Sequence, residues 1–254
     1  MFNDWLIRLA VGIAAWCACS VSCAGVVAAS TRLVVPGNSQ ESTLALRNLN
    51  TYPVLVQAWI DDGNPEAGPD ETDSPFVVLP PVFKMEVSGA HTLRILHLPQ
   101  GMPTDRETLH WLNVLEVPPK VQAQSENASQ VVLTMRTQMK VFVRPSDLDP
   151  GPDVAASLLT WQLQAEGETC RLHLANPSPY YVSFLYAQIV RGSQVHTLPV
   201  DMVEPFGGST FDWPSDCDTA QVMNVQFASI DDLGNPREHS ANVILDRADD
   251  ALRR

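Results

Sequence analysis

Alternating apolar and polar residues are the dominant pattern in the first half of the chain. In residues 42–48, Leu44 and Leu46 fall on one face, whereas Thr43 and Arg47 fall on the other. This period of two is typical of a β-strand with one buried face. The same alternation predicts strands at residues 53–61, 92–96, 109–117 and 131–144. Stretches rich in turn-forming residues separate them, which indicates a sandwich of short strands.

The second half repeats this organisation after a break in the pattern. Residues 146–153 are polar and rich in Pro and Gly, so we interpret them as a linker between domains. Further strands are predicted at residues 159–164, 170–175, 181–188, 195–200, 222–229 and 239–245. A chain of 254 residues is long enough for two domains. We therefore predict an all-β protein with one β-sandwich in residues 25–147 and a second in residues 148–254.

The N-terminal residues have the pattern of an export signal. Arg8 precedes an apolar run at residues 9–19, which is too short to cross a bilayer as a helix. Small residues follow, and cleavage after either Ala24 or Ala29 fits the pattern. We predict that residues 1–24 form a cleavable signal peptide, so that the mature protein is soluble and exported.

The charge balance bears on the class of partner. The chain carries 16 Lys and Arg residues against 29 Asp and Glu residues, which gives a formal net charge of −13. A surface of this sign repels phosphate backbones and anionic lipid heads. Nucleic-acid binding and stable association with a membrane are therefore not expected.

The sequence has few signals of catalysis. It contains no His-Glu-x-x-His motif, no phosphate-binding loop, no nucleophile elbow and no dinucleotide fingerprint, and its six histidines are scattered. The acidic run at residues 61–66 is predicted to be a solvated hairpin loop. Calcium binding is the alternative, but the run lacks the spacing of an EF-hand. We predict neither an enzyme nor a bound metal or cofactor.

The cysteines fall into two groups. Three lie in the predicted signal peptide and leave with it, namely Cys17, Cys19 and Cys23. A lipoprotein signal at Cys23 is disfavoured, because Ser20 stands where such signals have an apolar residue. Cys170 and Cys217 remain as an even pair in an oxidising compartment, so a disulfide is the favoured interpretation. A metal-binding pair is the alternative, but no His or Cys stands at ligand spacing beside either residue.

Two features of the strands are unusual for a plain sandwich. Arg32 is an isolated charge inside the apolar stretch at residues 31–36. In the long strand at residues 131–144, the odd positions form an apolar row of Val131, Leu133, Met135 and Met139. Such a row is either part of the domain core or an apolar edge, and apolar edges invite pairing with another chain.

Seven stretches in the same order resemble the PapD-like periplasmic chaperones of chaperone–usher pilus assembly. The resemblance extends from about residue 30 to residue 243. The matching stretches are residues 31–36, 57–59, 76–83, 92–96, 105–113, 140–145 and 176–181. The resemblance implies two immunoglobulin-like domains set in an L, with the pilus subunit bound mainly along the first domain.

The resemblance also implies roles for particular residues. Arg32 and Lys140 match the basic pair that anchors the C-terminal carboxylate of the subunit. Val131, Leu133 and Met135 match the apolar residues that the chaperone lends to an incomplete pilin sandwich. Lys140 has the opposite parity from this row, so either a bulge or its long stem must direct it towards the anchor.

A second set of matched residues concerns the two domains. Glu107, Arg144 and Asp232 match family positions that form an ionic contact between the domains. If exposed, such a contact contributes little stability and mainly sets orientation.

The function implied is that of an ATP-independent periplasmic chaperone without a cofactor. Its partners would be pilin subunits and an outer-membrane usher. One rival interpretation is a pilus subunit or another exported immunoglobulin-like structural or adhesion protein. Another is an enzyme on a sandwich scaffold, such as a metal-dependent oxidoreductase, which would need several converging metal ligands.

Overall fold

The computed structural model describes residues 25–246, apart from residues 73, 99–100, 121–131, 167–168, 192–193 and 214–223. This part of the chain is built from β-strands, with short 3-10 helices at Pro69–Glu71 and Pro152–Leu158. None of the helices in these residues is long and apolar enough to span a membrane.

The first domain contains two packed sheets. Its strands are β1 (Val26–Ala28), β2 (Arg32–Pro36), β3 (Glu41–Asn48), β4 (Val54–Asp61), β5 (Phe76–Leu79), β6 (Val82–Met85), β7 (Ala90–His97), β8 (Thr108–Val117) and β9 (Met135–Arg144). One sheet has the order β1-β3-β7-β5, and the other has the order β2-β9-β8-β4-β6. Strands β2 and β9 run parallel, whereas the other neighbours in both sheets are antiparallel.

The second domain repeats this two-sheet design. Its strands are β10 (Thr160–Glu166), β11 (Thr169–Ala175), β12 (Val182–Arg191), β13 (Gln194–Thr197), β14 (Met202–Val203), β15 (Gly208–Asp212), β16 (Asn224–Ile230), β17 (Pro236–Asn242) and β18 (Ile244–Asp246). One sheet has the order β15-β11-β10-β18. The other has the order β13-β12-β16-β17, and β14 pairs with β12 beside it.

Each domain has its own hydrophobic core between its sheets. In the first domain, the alternating residues Leu44 and Leu46 face Val141 and Val143 across the sandwich. In the second, Trp161 packs near Phe227, with ring centroids 5.8 Å apart. The predicted all-β fold with two immunoglobulin-like sandwiches is confirmed. The L-shaped arrangement and the domain boundary between residues 147 and 148 stay predictions.

Several predicted elements differ from the observed ones. The strand predicted at residues 239–245 is two strands, because the chain leaves one sheet after Asn242 and joins the other at Ile244. Strand β9 begins at Met135 rather than at residue 131, because its partner β8 ends one residue beyond Glu116, which lies opposite Met135. Strands β1, β5, β6, β14 and β15 were not predicted, since each has five residues or fewer and β15 is also largely polar.

Candidate functional site

Arg32 and Lys140 lie directly opposite each other on neighbouring strands. They are paired positions in the parallel ladder of β2 and β9, and neighbouring strands lie about 4.8 Å apart. Val141 is in the core, so alternation turns Lys140 to the outer face of the sheet. The ladder between β8 and β9 runs from Met135 to Val143 without a shift of register. The long stem of Lys140, and not a bulge, therefore directs its ammonium group.

The two cations have different surroundings. The Lys140 Nζ atom lies 2.7 Å from Asp201 Oδ2 and 5.6 Å from the centre of the Trp111 ring. Arg32 is buried, and its Nη1 donates to the carbonyl oxygen of Ile230 at 3.1 Å.

The Arg32 guanidinium has an unused donor. Its Nε is buried and has no hydrogen-bond partner among the residues that the structure describes. Burial lowers the pKa of Arg32, although Asp232, Asp231 and Asp201 oppose this effect by their negative charge. A buried donor of this kind is costly unless an acceptor arrives. The arrangement suits a carboxylate, because charged acceptors make the stronger hydrogen bonds with guanidinium and ammonium groups.

Next to these cations, β9 has one edge without a strand partner in the described residues. Strand β8 covers residues 135–143 of β9, but β2 covers only residues 140–144 on the other side. Residues 135–139 therefore present backbone donors and acceptors at an open edge. Residues 132–134 precede this edge and belong to no strand.

The predicted apolar row divides at this edge. Met139 is buried in the core, whereas Met135 is 52% exposed and Leu133 is 75% exposed. Val131, the remaining member of the predicted donor row, lies outside the described residues. One face of β9 thus supplies Met139 to the domain core and leaves Met135 exposed, and the exposed Leu133 lies just before the strand.

Glu107, Arg144 and Asp232 are brought together between the two domains. Arg144 Nε donates to Glu107 Oε1 at 2.6 Å, and its two Nη atoms donate to the Asp232 carboxylate at 2.6 and 2.8 Å. Glu107 Oε2 accepts the Tyr181 N–H at 2.9 Å, and the Arg144 guanidinium lies 5.3 Å from the centre of the Tyr180 ring.

The sequence left open whether this ionic contact is exposed. In the structure its Glu107 end is buried. The Glu107 side chain is only 2% exposed. Burial by itself would lower the pKa of Arg144. The hydrogen bonds to Asp232 and Glu107 have the larger combined effect, so the pKa of Arg144 is raised. Arg144 is therefore the counter-charge of a buried carboxylate.

A further cluster of hydrogen bonds, which was not predicted, connects the open edge of β9 to the loop after β4. Arg136 on β9 binds the Asp61 carboxylate with Nη2 at 3.1 Å and Asn113 Oδ1 with Nε at 2.8 Å. Its Nη1 donates to the carbonyl oxygens of Pro65 and Ala67 at 2.7 and 3.1 Å. The loop after β4 is thereby fixed to the edge strand.

The strand predicted at residues 53–61 does end at Asp61, but the prediction that the acidic run at residues 61–66 is solvated was wrong at this residue. Asp61 is the buried last residue of β4, and Trp59 Nε1 donates to it at 3.2 Å. In the described residues no group of three or more His, Cys, Asp or Glu side chains is placed to hold a metal ion. Cys170 is disulfide-bonded, and its predicted partner, Cys217, lies outside the described residues.

Sequence reasoning missed two functional candidates. One is Arg136, whose only signal was a cation alternating with the apolar row. The other is Asp201, which sits far from Lys140 in sequence and had no signal at all. Both depend on contacts between segments that are distant along the chain.

Two protein-family models match most of the chain. Residues 25–149 match the N-terminal domain model described as "Pili and flagellar-assembly chaperone, PapD N-terminal domain". Residues 154–241 match the model described as "Pili assembly chaperone PapD, C-terminal domain".

Individual proteins are similar along nearly the same length. The probable fimbrial chaperone YadV of Escherichia coli K12 is 32% identical over 226 residues, which cover 88% of this chain and 92% of YadV. The crystal structure of the Pseudomonas aeruginosa CupB2 chaperone has a TM-score of 0.71 and 36% identity, covering 85% of this chain and 100% of CupB2. The Salmonella enterica SafB chaperone, solved in complex with the SafA pilin, has a TM-score of 0.69 and 26% identity, covering 89% and 99%.

Proposed function

Because the chain belongs to the family of PapD-like pilus-assembly chaperones, we propose that it binds pilin subunits in the periplasm and delivers them to an outer-membrane usher. The subunit's C-terminal carboxylate would bind Arg32 and Lys140. The subunit's incomplete sandwich would be completed by the strand that includes Val131, Leu133 and Met135. No catalytic step, nucleotide or cofactor is part of this mechanism.

One observation carries the proposal, namely the open edge of β9 beside the two cations. An added strand gains backbone hydrogen bonds along residues 135–139, and alternate side chains such as Leu133 and Met135 fill pockets in the partner. The cations mark the end of that strand, because a terminal carboxylate there receives charge-assisted hydrogen bonds. The open edge and the two cations together favour a partner segment that is extended and apolar and that ends in a free carboxylate.

The rival interpretation as a pilus subunit has less support. A subunit that needs completion would have a single incomplete sandwich. In the described residues, both domains of this chain have two sheets packed over a hydrophobic core. No observation in these residues favours the adhesion or oxidoreductase interpretations over the chaperone.

The proposal is tested by capture of a pilin-like protein encoded by neighbouring genes. Both proteins are exported to the periplasm of one host, and the complex is purified through a tag on the chaperone. We expect Lys140→Ala to reduce capture at least about tenfold, since a hydrogen bond to a charged group contributes about 1.5–3 kcal/mol.

The matched control is Lys84→Ala, which removes an exposed lysine that forms an ion pair with Glu86. We expect this variant to capture the pilin as well as the unmodified protein does. Equal capture by the folded Lys140→Ala variant would contradict the anchoring role. Failure of the unmodified chain to bind any co-exported pilin would contradict the function itself.

A further inference from the structure

The ammonium group of Lys140 is already paired with a carboxylate from the second domain. Asp201 Oδ2 lies 2.7 Å from Lys140 Nζ, and this is the hydrogen bond that the Asp201 side chain makes within the described residues. The lysine side chain is mostly buried, whereas the Asp201 side chain is 77% exposed. An internal carboxylate thus occupies a donor that the proposed function assigns to a carboxylate of the subunit.

The position of Asp201 is fixed although its side chain is exposed. Its carbonyl oxygen accepts the Phe184 N–H at 2.7 Å, and the next residue, Met202, pairs with Ser183 in the ladder between β14 and β12. The backbone therefore holds the carboxylate beside the cleft. The side chain needs only to rotate into solvent to release Lys140.

Two other acids near Arg32 are already bound to other partners, so they do not pair with Arg32 or Lys140. Asp232 is held by both Nη atoms of Arg144. Asp231 accepts N–H groups of the following turn and pairs with Arg237 at 3.1 Å. Of these three acids, Asp201 alone is in contact with the predicted anchor.

We propose that Asp201 is a built-in competitor for the subunit's terminal carboxylate at Lys140. This inference rests on the proposed function. In the free protein Asp201 neutralises the mostly buried ammonium group, and in the complex the subunit carboxylate takes its place beside the Arg32 guanidinium. Exchange of one carboxylate for another weakens subunit binding, and the return of Asp201 to Lys140 favours release of the subunit.

The test uses a fluorescent synthetic peptide of alternating valine and threonine with a free C-terminal carboxylate, and the same peptide with a C-terminal amide. We expect Asp201→Asn to bind the free-acid peptide about two- to fivefold more tightly than the unmodified protein, because an ion pair with one partner in water contributes up to about 1 kcal/mol. The amide peptide should show no such gain. Asp201→Glu should bind like the unmodified protein.

Two controls separate competition from other effects. Asp212→Asn removes an exposed acid elsewhere in the same domain, and it should leave the affinity unchanged. In a Lys140→Ala background, Asp201→Asn should lose most of its gain in affinity, because the contested cation is gone and only the smaller effect of the Asp201 charge on Arg32 remains.

The outcomes distinguish this inference from the proposed function. Unchanged affinity in Asp201→Asn would overturn competition while leaving the anchor intact, provided that the unmodified protein still prefers the free acid to the amide. Weaker binding would overturn it as well, since Asp201 would then be positioning Lys140. Equal binding of acid and amide by the unmodified protein would overturn both the anchor and the competitor.

Discussion

The variant carrying Leu133→Asp and Met135→Asp should lose capture of the pilin by about 100-fold or more. Each side chain is expected to enter an apolar pocket of the subunit, and full burial of such a side chain contributes about 1.5–3 kcal/mol. A carboxylate in the same pocket adds a penalty for its removal from water. The loss of both contacts alone therefore lowers the affinity by more than about 100-fold. Co-purification of the pilin from the periplasm measures the effect.

This loss should occur without loss of fold, because both side chains are exposed in the free protein. The matched control is Leu185→Asp with Val195→Asp, which places the same charges on exposed apolar positions of the second domain. We expect the control to retain capture and both variants to keep the melting temperature of the unmodified protein. Undiminished capture by the Leu133 and Met135 variant would show that the open edge of β9 is not where the subunit binds.

The second large effect is expected on stability, from Arg144→Ala. This change leaves the Glu107 carboxylate buried without its counter-charge, and of its two partners in the described part of the chain the Tyr181 N–H remains. Removal of one partner from a buried pair typically costs about 3–5 kcal/mol. Denaturant unfolding should show the free energy of unfolding reduced by this amount.

The pH dependence of this variant gives a further check. Burial raises the pKa of Glu107, and Arg144 opposes that shift. Without Arg144, the folded state should bind a proton at Glu107 more readily than the unfolded state does. The cost of Arg144→Ala should therefore shrink as the pH falls from about 7 to about 5, since stability rises towards low pH when the folded state binds more protons.

Asp232→Asn is the matched control for the same network. The Asp232 side chain is 47% exposed, so its loss should cost less than about 1 kcal/mol. If Arg144→Ala proves no more destabilising than Asp232→Asn, then Glu107 does not depend on Arg144 for its charge.

The sequence was sufficient to predict most strands because period-two alternation follows from a buried face. It failed where a strand changes sheet, as between Asn242 and Ile244, since each half still alternates across the crossing. The start of β9 at Met135 depends on where β8 ends, and β8 is a distant segment. Local pattern cannot contain that information.

The candidate site was predictable to a similar degree. Arg32 and Lys140 were found because a charge inside an apolar strand is unusual and because the flanking motifs resemble a family. Asp61 was correctly predicted to end a strand, but its burial was missed, because acidic residues near Gly and Pro usually lie in solvated turns. Its burial depends on Arg136, which lies 75 residues further along the chain. Asp201 was missed for the same reason, since only the packing of the two domains brings it to Lys140.

The hydrogen bonds between Arg136 and the loop after β4 affect how tightly a partner can bind the open edge of β9. Arg136 lies between Met135 and Thr137, so its hydrogen bonds restrain the open edge of β9 before any partner arrives. A template that is already rigid loses little further freedom when it is bound, which leaves more of the contact energy as affinity. The incoming chain then bears most of the entropic cost of forming the strand pairing along residues 135–139.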